Sequence, residues 1–165
     1  MITHYTHHHT PIGKIRLRAN DEGLLALDHT NQQSNLDSTW TKNSDHPVLQ
    51  QAIAELNEYF AGMRQTFQTP LNPQGTPFQL SVWQALTTIP FGETVSYSHI
   101  ANAINKPKAV RAVGAANGRN PLSVFIPCHR IVGKNGTLTG YAGGLNVKTI
   151  LLDLEQFKKI ESSTI

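Results

Sequence analysis

The sequence predicts an α+β protein in two parts: a small N-terminal α/β domain over residues 1–70 and a mostly helical C-terminal domain over 76–165. Three observations carry this reading. Apolar residues alternate with basic ones over 12–19, the period of a half-buried strand. Apolar residues recur at helical spacing from Leu49 to Phe60. The segment TFQTPLNPQG at 66–75, with two prolines and a glycine, separates these from a series of short helical patterns.

At 165 residues the chain is long enough to bury a core, and 39% apolar with 15% charged residues excludes a charge-rich disordered protein. No apolar run approaches the roughly 20 residues that span a bilayer, and MITHYTHHHT has no signal-peptide apolar segment. A soluble cytoplasmic protein with no membrane association is therefore expected. Cys128 is the single cysteine, which excludes an internal disulfide and a cysteine-based structural zinc. The charge is divided. Residues 1–75 carry five basic and seven acidic side chains, net −2; residues 76–165 carry nine and four, net +5. A basic half of this size suits a polyanion, although many basic domains bind none.

In chain order, Ile15, Leu17 and Ala19 face the core of the first strand, with Lys14, Arg16 and Arg18 opposite. Asp21-Glu22-Gly23 is a turn and Leu24–Asp28 the returning strand of a hairpin. The N-terminal histidines His4, His7, His8 and His9 read as mobile and solvent-facing, with no metal site expected. Residues 29–45 are polar and read as loop, an edge strand being the alternative. Leu49, Ile53, Leu56 and Phe60 make a helix that Gly62 ends. Thr76 caps the next helix, Pro77 suits its first turn and Gln79 completes a capping box, with Phe78, Val82, Trp83 and Leu86 on the buried face. Ser96 caps a short helix through Ile104. After Asn105-Lys106-Pro107 a second runs from Lys108 to about Asn117, carrying Lys108 and Arg111. Two short helices around a tight turn suggest a winged-helix-like helix-turn-helix, though any pair of short helices can take that form. Ser123–Ile126 reads as a short strand delivering Pro127-Cys128-His129-Arg130. Gly133–Gly144, with five glycines, is a loop or β-ribbon, and a last helix starts near Asn146.

A lone cysteine is ordinarily a small buried hydrophobe. Here it follows an apolar segment and a proline and is adjacent to His129, while Glu155 lies on a later helix. A thiol of pKa about 8.5 is only a few per cent thiolate at neutral pH, so a nucleophilic cysteine needs a base. A carboxylate on the base's other nitrogen fixes its tautomer. Cys128, His129 and Glu155 can fill those roles. If Cys128 and His129 lie in a strand they point to opposite faces, so contact needs a bend or a bridging water. The plainer alternatives are a structural histidine and a solvated Glu155 paired with Lys159.

Ile126-Pro-Cys-His-Arg-Ile131 resembles the active-site motif of the O6-alkylguanine-DNA alkyltransferases. The resemblance extends over about 80 residues in order: Thr76-Pro77-Phe78, Ile89–Thr94, Ser96-Tyr97, Arg111–Gly114, Asn120-Pro121, Tyr141–Gly144, Lys148 and Leu151-Leu152…Glu155. It implies that Cys128 accepts the alkyl group by in-line displacement at the carbon on guanine O6, leaving a thioether. It also implies that His129 acts as base through a water, that Glu155 orients it, and that Asn120 is a hinge. Tyr97 would donate to the leaving guanine, and Arg111 would fill the gap left by a flipped nucleotide. The carbonyls of Cys128 and Ile131 would accept from the guanine amino group, and Tyr141, Ala142, Gly143 and Gly144 would wall the pocket. The recognition helix, with Lys108 before Arg111 and small Ala112, Val113, Gly114, Ala115 and Ala116, would enter the minor groove, which suits binding without sequence reading. Ala142 replaces a serine of some relatives, and the absence of N-terminal cysteines removes the zinc that others carry. The implied partner is double-stranded DNA containing O6-alkylguanine, and O4-alkylthymine is a further candidate substrate. The chain would act as a monomer, once per molecule, with no cofactor, in the cytoplasm at the nucleoid, or in the nucleus of a eukaryote. Three other readings stay open on the residues alone: a lesion-binding module without chemistry, a winged-helix protein with an inert cysteine, and a cysteine hydrolase.

Overall fold

The computed structural model describes residues 1–33 and 35–163, with side chains through Lys158. It divides into two compact units, the first Met1–Gln74 and the second beginning at Gly75.

The first unit is a four-stranded sheet with one helix. Its strands are β1 (His4–Thr10), β2 (Gly13–Asn20), β3 (Gly23–Asp28) and β4 (Thr41–Lys42), in the order β3-β2-β1-β4. β1 and β2 pair antiparallel from His4↔Ala19 to Thr10↔Gly13, and β4 adds parallel to β1 at His4↔Thr41. Helix α1 (Pro47–Phe60) packs on the sheet. Leu49, Ala52, Leu56 and Tyr59 of its inner face meet Ile15, Leu17, Ala19 and Leu24, and all eight are fully buried.

The N-terminal histidines are not a mobile tail, which corrects that expectation. They form a strand in which Tyr5 and Thr6 are buried. β-Branched and aromatic residues between histidines satisfy a sheet without an apolar run. His46 caps α1. Its Nδ1 accepts from Val48 N at 3.2 Å, which leaves the proton on Nε2, 3.0 Å from Asp21 Oδ1. Arg16, assigned by alternation to the polar face, is 97% buried. Asp28 bonds its Nε at 2.9 Å, and its guanidinium lies 5.0 Å from the centre of the Trp40 ring.

The proline-rich stretch expected to be a linker is partly pinned to this unit. Glu55 accepts from Thr69 N and Oγ1 and from Gln68 N, while Leu24 N donates to Pro70 O at 2.8 Å. A Cβ on Gly23 would come within 2.8 Å of that same carbonyl oxygen, so this crossing requires glycine.

The second unit is helical. Thr76 caps α2 (Pro77–Leu86) in a reciprocal box with Gln79. Ser96 caps α3 (Tyr97–Ala103) by accepting from His99 N. Helix α4 (Val110–Gly118) begins two residues later than expected and α5 spans Leu145–Ser163. Lys108 therefore sits in the turn before α4. Pro107 belongs to a turn closed by Ala109 N→Lys106 O at 2.9 Å, and the helix starts only after it. Phe78 is half-buried rather than buried, with Lys106 Nζ 5.5 Å from its ring centre. Val82, Trp83, Leu86, Ile100, Val113, Leu122 and Leu151 form the core. Gly133–Gly144 is loop with one 3-10 turn, and no ribbon forms there. No helix among the described residues is long and apolar enough to cross a membrane.

Candidate active site

The site lies in the second unit and is built on a turn rather than a strand. Ser123–Ile126 forms no strand, contrary to the reading of its Ser-Val-Phe-Ile composition. Ile126 N bonds back to Leu122 O at 2.8 Å, and Val124 adopts φ +77°. Asn120 accounts for the turn. Its Oδ1 accepts from Leu122 N at 3.0 Å and its Nδ2 donates to Ile126 O at 2.9 Å, so one side chain takes the backbone groups a ladder would have used. Pro127 offers no N–H, and Cys128–Arg130 follow as a buried 3-10 turn.

That turn presents the three consecutive side chains separately. Cys128 Sγ lies 3.9 Å from Ser123 Oγ, and the thiol also receives a hydrogen bond from Asn120. Burial pushes the thiol pKa up, against the partial relief of Asn120, Ser123 and the nearby charge of Lys148. His129 is fully buried, with Nε2 2.7 Å from Glu155 Oε2. Its Nδ1 is buried with no protein hydrogen-bond partner. Burial lowers the imidazole pKa more than Glu155 raises it.

Arg130 completes the cluster. Its Nε and Nη2 reach the two Glu155 oxygens at 2.8 and 3.0 Å, and its Nη1 donates to Ile89 O at 2.6 Å. Burial raises the Glu155 pKa, but His129 and Arg130 outweigh it and hold the carboxyl at about 2. Glu155 is 1% exposed, so the solvated-face reading is corrected; the Lys159 side chain paired with it in that reading lies outside the described residues. Because Glu155 is ionised and can only accept, Nε2 of His129 must carry the proton and Nδ1 the lone pair.

Helices α3 and α4 stand beside this turn. Asn117 of α4 lies 3.5 Å from the Cys128 carbonyl through its Nδ2, and Trp83 Nε1 donates to Ala116 O at 2.8 Å. Val113 and Ala116 face inward and pack in the core, which corrects their expected place on the groove-facing surface, while Arg111, Ala112, Ala115 and Arg119 are exposed. Gly114 is half-buried; a Cβ there would lie 3.6 Å from the Tyr97 ring. Tyr97 Oη is 2.5 Å from Thr139 Oγ1. Tyr141 meets Ser123 and Cys128, with burial as the main cause of its raised pKa, and Ala142 and Gly143 follow in a half-buried turn.

The structure thus gathers buried Cys128, His129, Glu155, Asn120 and Ile131 and half-buried Tyr141 into one cluster with Tyr97 at its edge. It leaves Arg111, Lys108, Ala112 and Ala115 on the surface. Ser123, Asn117 and Thr139 carried no sequence signal. Lys148 did carry one, and its role was missed. It is fully buried, and Nζ donates to Ile131 O at 2.7 Å, occupying one of the two lone pairs of the carbonyl assigned to the guanine amino group.

Residues 77–157 match the family described as 6-O-methylguanine DNA methyltransferase, DNA binding domain, and residues 3–73 match its ribonuclease-like domain. The chain belongs to the 6-O-methylguanine DNA methyltransferase family. It is 47% identical over 160 residues to the constitutive methylated-DNA–protein-cysteine methyltransferase of Bacillus subtilis, covering 94% of this chain and 96% of that one. The methylated-DNA–protein-cysteine methyltransferase of Haemophilus influenzae is 43% identical over 98% of this chain and 90% of its own. A Mycobacterium tuberculosis OGT in complex with DNA superposes with a TM-score of 0.86 at 45% identity, covering 94% of each chain. The two-part α+β architecture is that of this family, and the cluster around Cys128 falls within the match to its DNA binding domain.

Proposed function

We infer that this chain is a methylated-DNA–protein-cysteine methyltransferase that repairs O6-methylguanine in DNA by moving the methyl group onto its own Cys128. The observation that carries the reading is the buried Cys128–His129–Glu155 cluster within a chain matched to the family along nearly its whole length. An inert buried cysteine has no use for a neighbouring histidine whose one nitrogen is locked by a carboxylate and whose other is buried with no protein partner.

The proposed step uses these groups in order. His129 Nδ1 takes the thiol proton through one water, with Glu155 holding the ring and stabilising the imidazolium. Cys128 Sγ attacks the methyl carbon, the S–C bond forms as the C–O6 bond breaks, and the electron pair goes to the guanine. Tyr97 hands a proton to the departing base, which leaves better as a neutral species. The imidazolium then gives its proton to solvent and the tyrosinate takes one back, so the thiol proton is in effect delivered to the base and no further reactant is needed. The thioether has no activated leaving group, so each molecule acts once.

A base inside a duplex cannot be attacked in line, so the nucleotide is flipped out at a cost of a few kcal/mol. Exposed Arg111, on a helix face of small Ala112 and Ala115, suits the filling of the gap from the minor groove, with Lys108 toward the phosphates. The test is a titration: increasing amounts of an O6-methylguanine duplex are added to a fixed amount of protein. Restored guanine should plateau at one equivalent per chain. Continued turnover, or no repair by folded and reduced protein, would contradict the reading.

A further inference from the structure

The Gly-rich loop meets the reaction centre at a residue that the motif does not single out. Thr139 Oγ1 lies 2.5 Å from Tyr97 Oη and 3.5 Å from Lys148 Nζ, and Lys148 Nζ also reaches Thr139 O at 3.3 Å and Ile131 O at 2.7 Å. Lys148 is fully buried on α5, and these three oxygens match the three N–H bonds of an ammonium group.

An ammonium only donates, so Thr139 Oγ1 accepts from Lys148 at 3.5 Å. A hydroxyl has two lone pairs and one hydrogen, so either oxygen can donate in the short Thr139–Tyr97 bond. The arrangement that serves the donor role has Thr139 donating and Tyr97 Oη accepting, with the phenol hydrogen turned away from Thr139. The threonine rotamer is also held. Its methyl lies against Gly133, where a Cβ would come within 3.1 Å of Thr139 Cγ2, and its carbonyl is tied to Lys148.

We propose that Thr139 is a positioning residue for Tyr97: its hydroxyl, oriented by Lys148, aims the phenol hydrogen at the leaving guanine. This rests on the reading of Tyr97 as the donor to that base. Without the hydroxyl, Lys148 loses its link to Tyr97 and the phenol rotates freely, so the chemical step slows while DNA binding does not.

Single-turnover repair of an O6-methylguanine duplex separates these outcomes when measured over a range of protein concentrations. The proteins compared are wild type, Thr139→Val, Thr139→Ala, Thr139→Ser, Tyr97→Phe and the Tyr97→Phe/Thr139→Val double variant, each checked for folding by urea midpoint. Valine and alanine should each lower the saturated rate about tenfold with an unchanged half-saturation concentration, and serine should stay within about twofold of wild type. In the Tyr97→Phe background, valine should cost nothing more. A slow Tyr97→Phe together with a Thr139→Val of wild-type rate would overturn the role of Thr139 and leave Tyr97 in place. Tyr97→Phe at wild-type rate would instead remove the donor reading, and this proposal with it. Equal losses from valine in both backgrounds, or a change confined to half-saturation, would make Thr139 a structural loop residue and overturn the proposal.

Discussion

Glu155 Oε2 lies 2.7 Å from His129 Nε2, with neither side chain more than 1% exposed. The same carboxylate takes two hydrogen bonds from Arg130, which in turn holds Ile89 O. Glu155 therefore sets the tautomer of the proposed base and balances the charge of the buried Arg130 guanidinium. Its removal should affect chemistry and folding together.

Glu155→Gln keeps the shape and loses the charge. Arg130 is left buried without its counter-ion, and His129 is no longer obliged to keep its lone pair on Nδ1. Unfolding free energy at pH 7 should fall by about 3 kcal/mol, and the single-turnover repair rate should fall about a hundredfold. Urea unfolding and rapid-quench repair assays check the two separately. A variant of wild-type stability would show that Glu155 does not carry the pair.

The same carboxylate makes the second unit sensitive to acid. Its pKa is about 2 in the fold against an ordinary 4.5, so its contribution is complete above pH 4.5 and is lost as pH falls toward 2. The span corresponds to about 3 kcal/mol. The stability difference between wild type and Glu155→Gln should therefore shrink over that window and stay constant above it.

His29 supplies a separate acid response in the first unit. Burial lowers its pKa from 6.5 to about 4, with Asp28 opposing, so the folded unit holds it neutral where the unfolded chain is protonated. Stability from this source is complete above pH 6.5 and is lost as pH falls through 4, by about 3 kcal/mol in all. Trp40 lies in this unit and Trp83 in the other, so urea unfolding followed through Trp40 in a Trp83→Phe background reports it. His29→Asn should flatten that pH dependence.

Arg111 is exposed on α4. If it fills the gap left by the flipped nucleotide, Arg111→Ala should slow repair of duplex DNA by about thirtyfold or more. Reaction with free O6-benzylguanine, which needs no flipping, should change less than about twofold. Equal losses on both substrates would contradict the finger role.

Much of this architecture was legible where local chemistry and tertiary structure agree. The Thr76–Gln79 capping box, the Ser96 cap and the alternation of Ile15, Leu17 and Ala19 are each satisfied in the fold. The errors have identifiable causes. Strand β1 carries no apolar run, and only its pairing with β2 reveals it. The Ser123–Ile126 segment has strand propensity, but Asn120 takes its backbone groups and turns it, a competition invisible in composition. Lys148 and Glu155 flank Leu151 at i and i+7 on one helical stripe. Two charges on an apolar face are a signal of buried partners, and sequence reading used only the second. Ser123, Asn117 and Thr139 left no such mark, since their importance depends on which side chains the turns bring to them.

The central claim is that Cys128 is the acceptor, and intact-protein mass spectrometry tests it most directly. The protein is incubated with a duplex carrying one O6-methylguanine, with Cys128→Ala as control. A gain of a single methyl group, located on the Cys128 peptide and absent from the control, is the predicted result. An unchanged mass in folded, reduced protein that still binds the lesion selectively would contradict it and make this chain a recognition module.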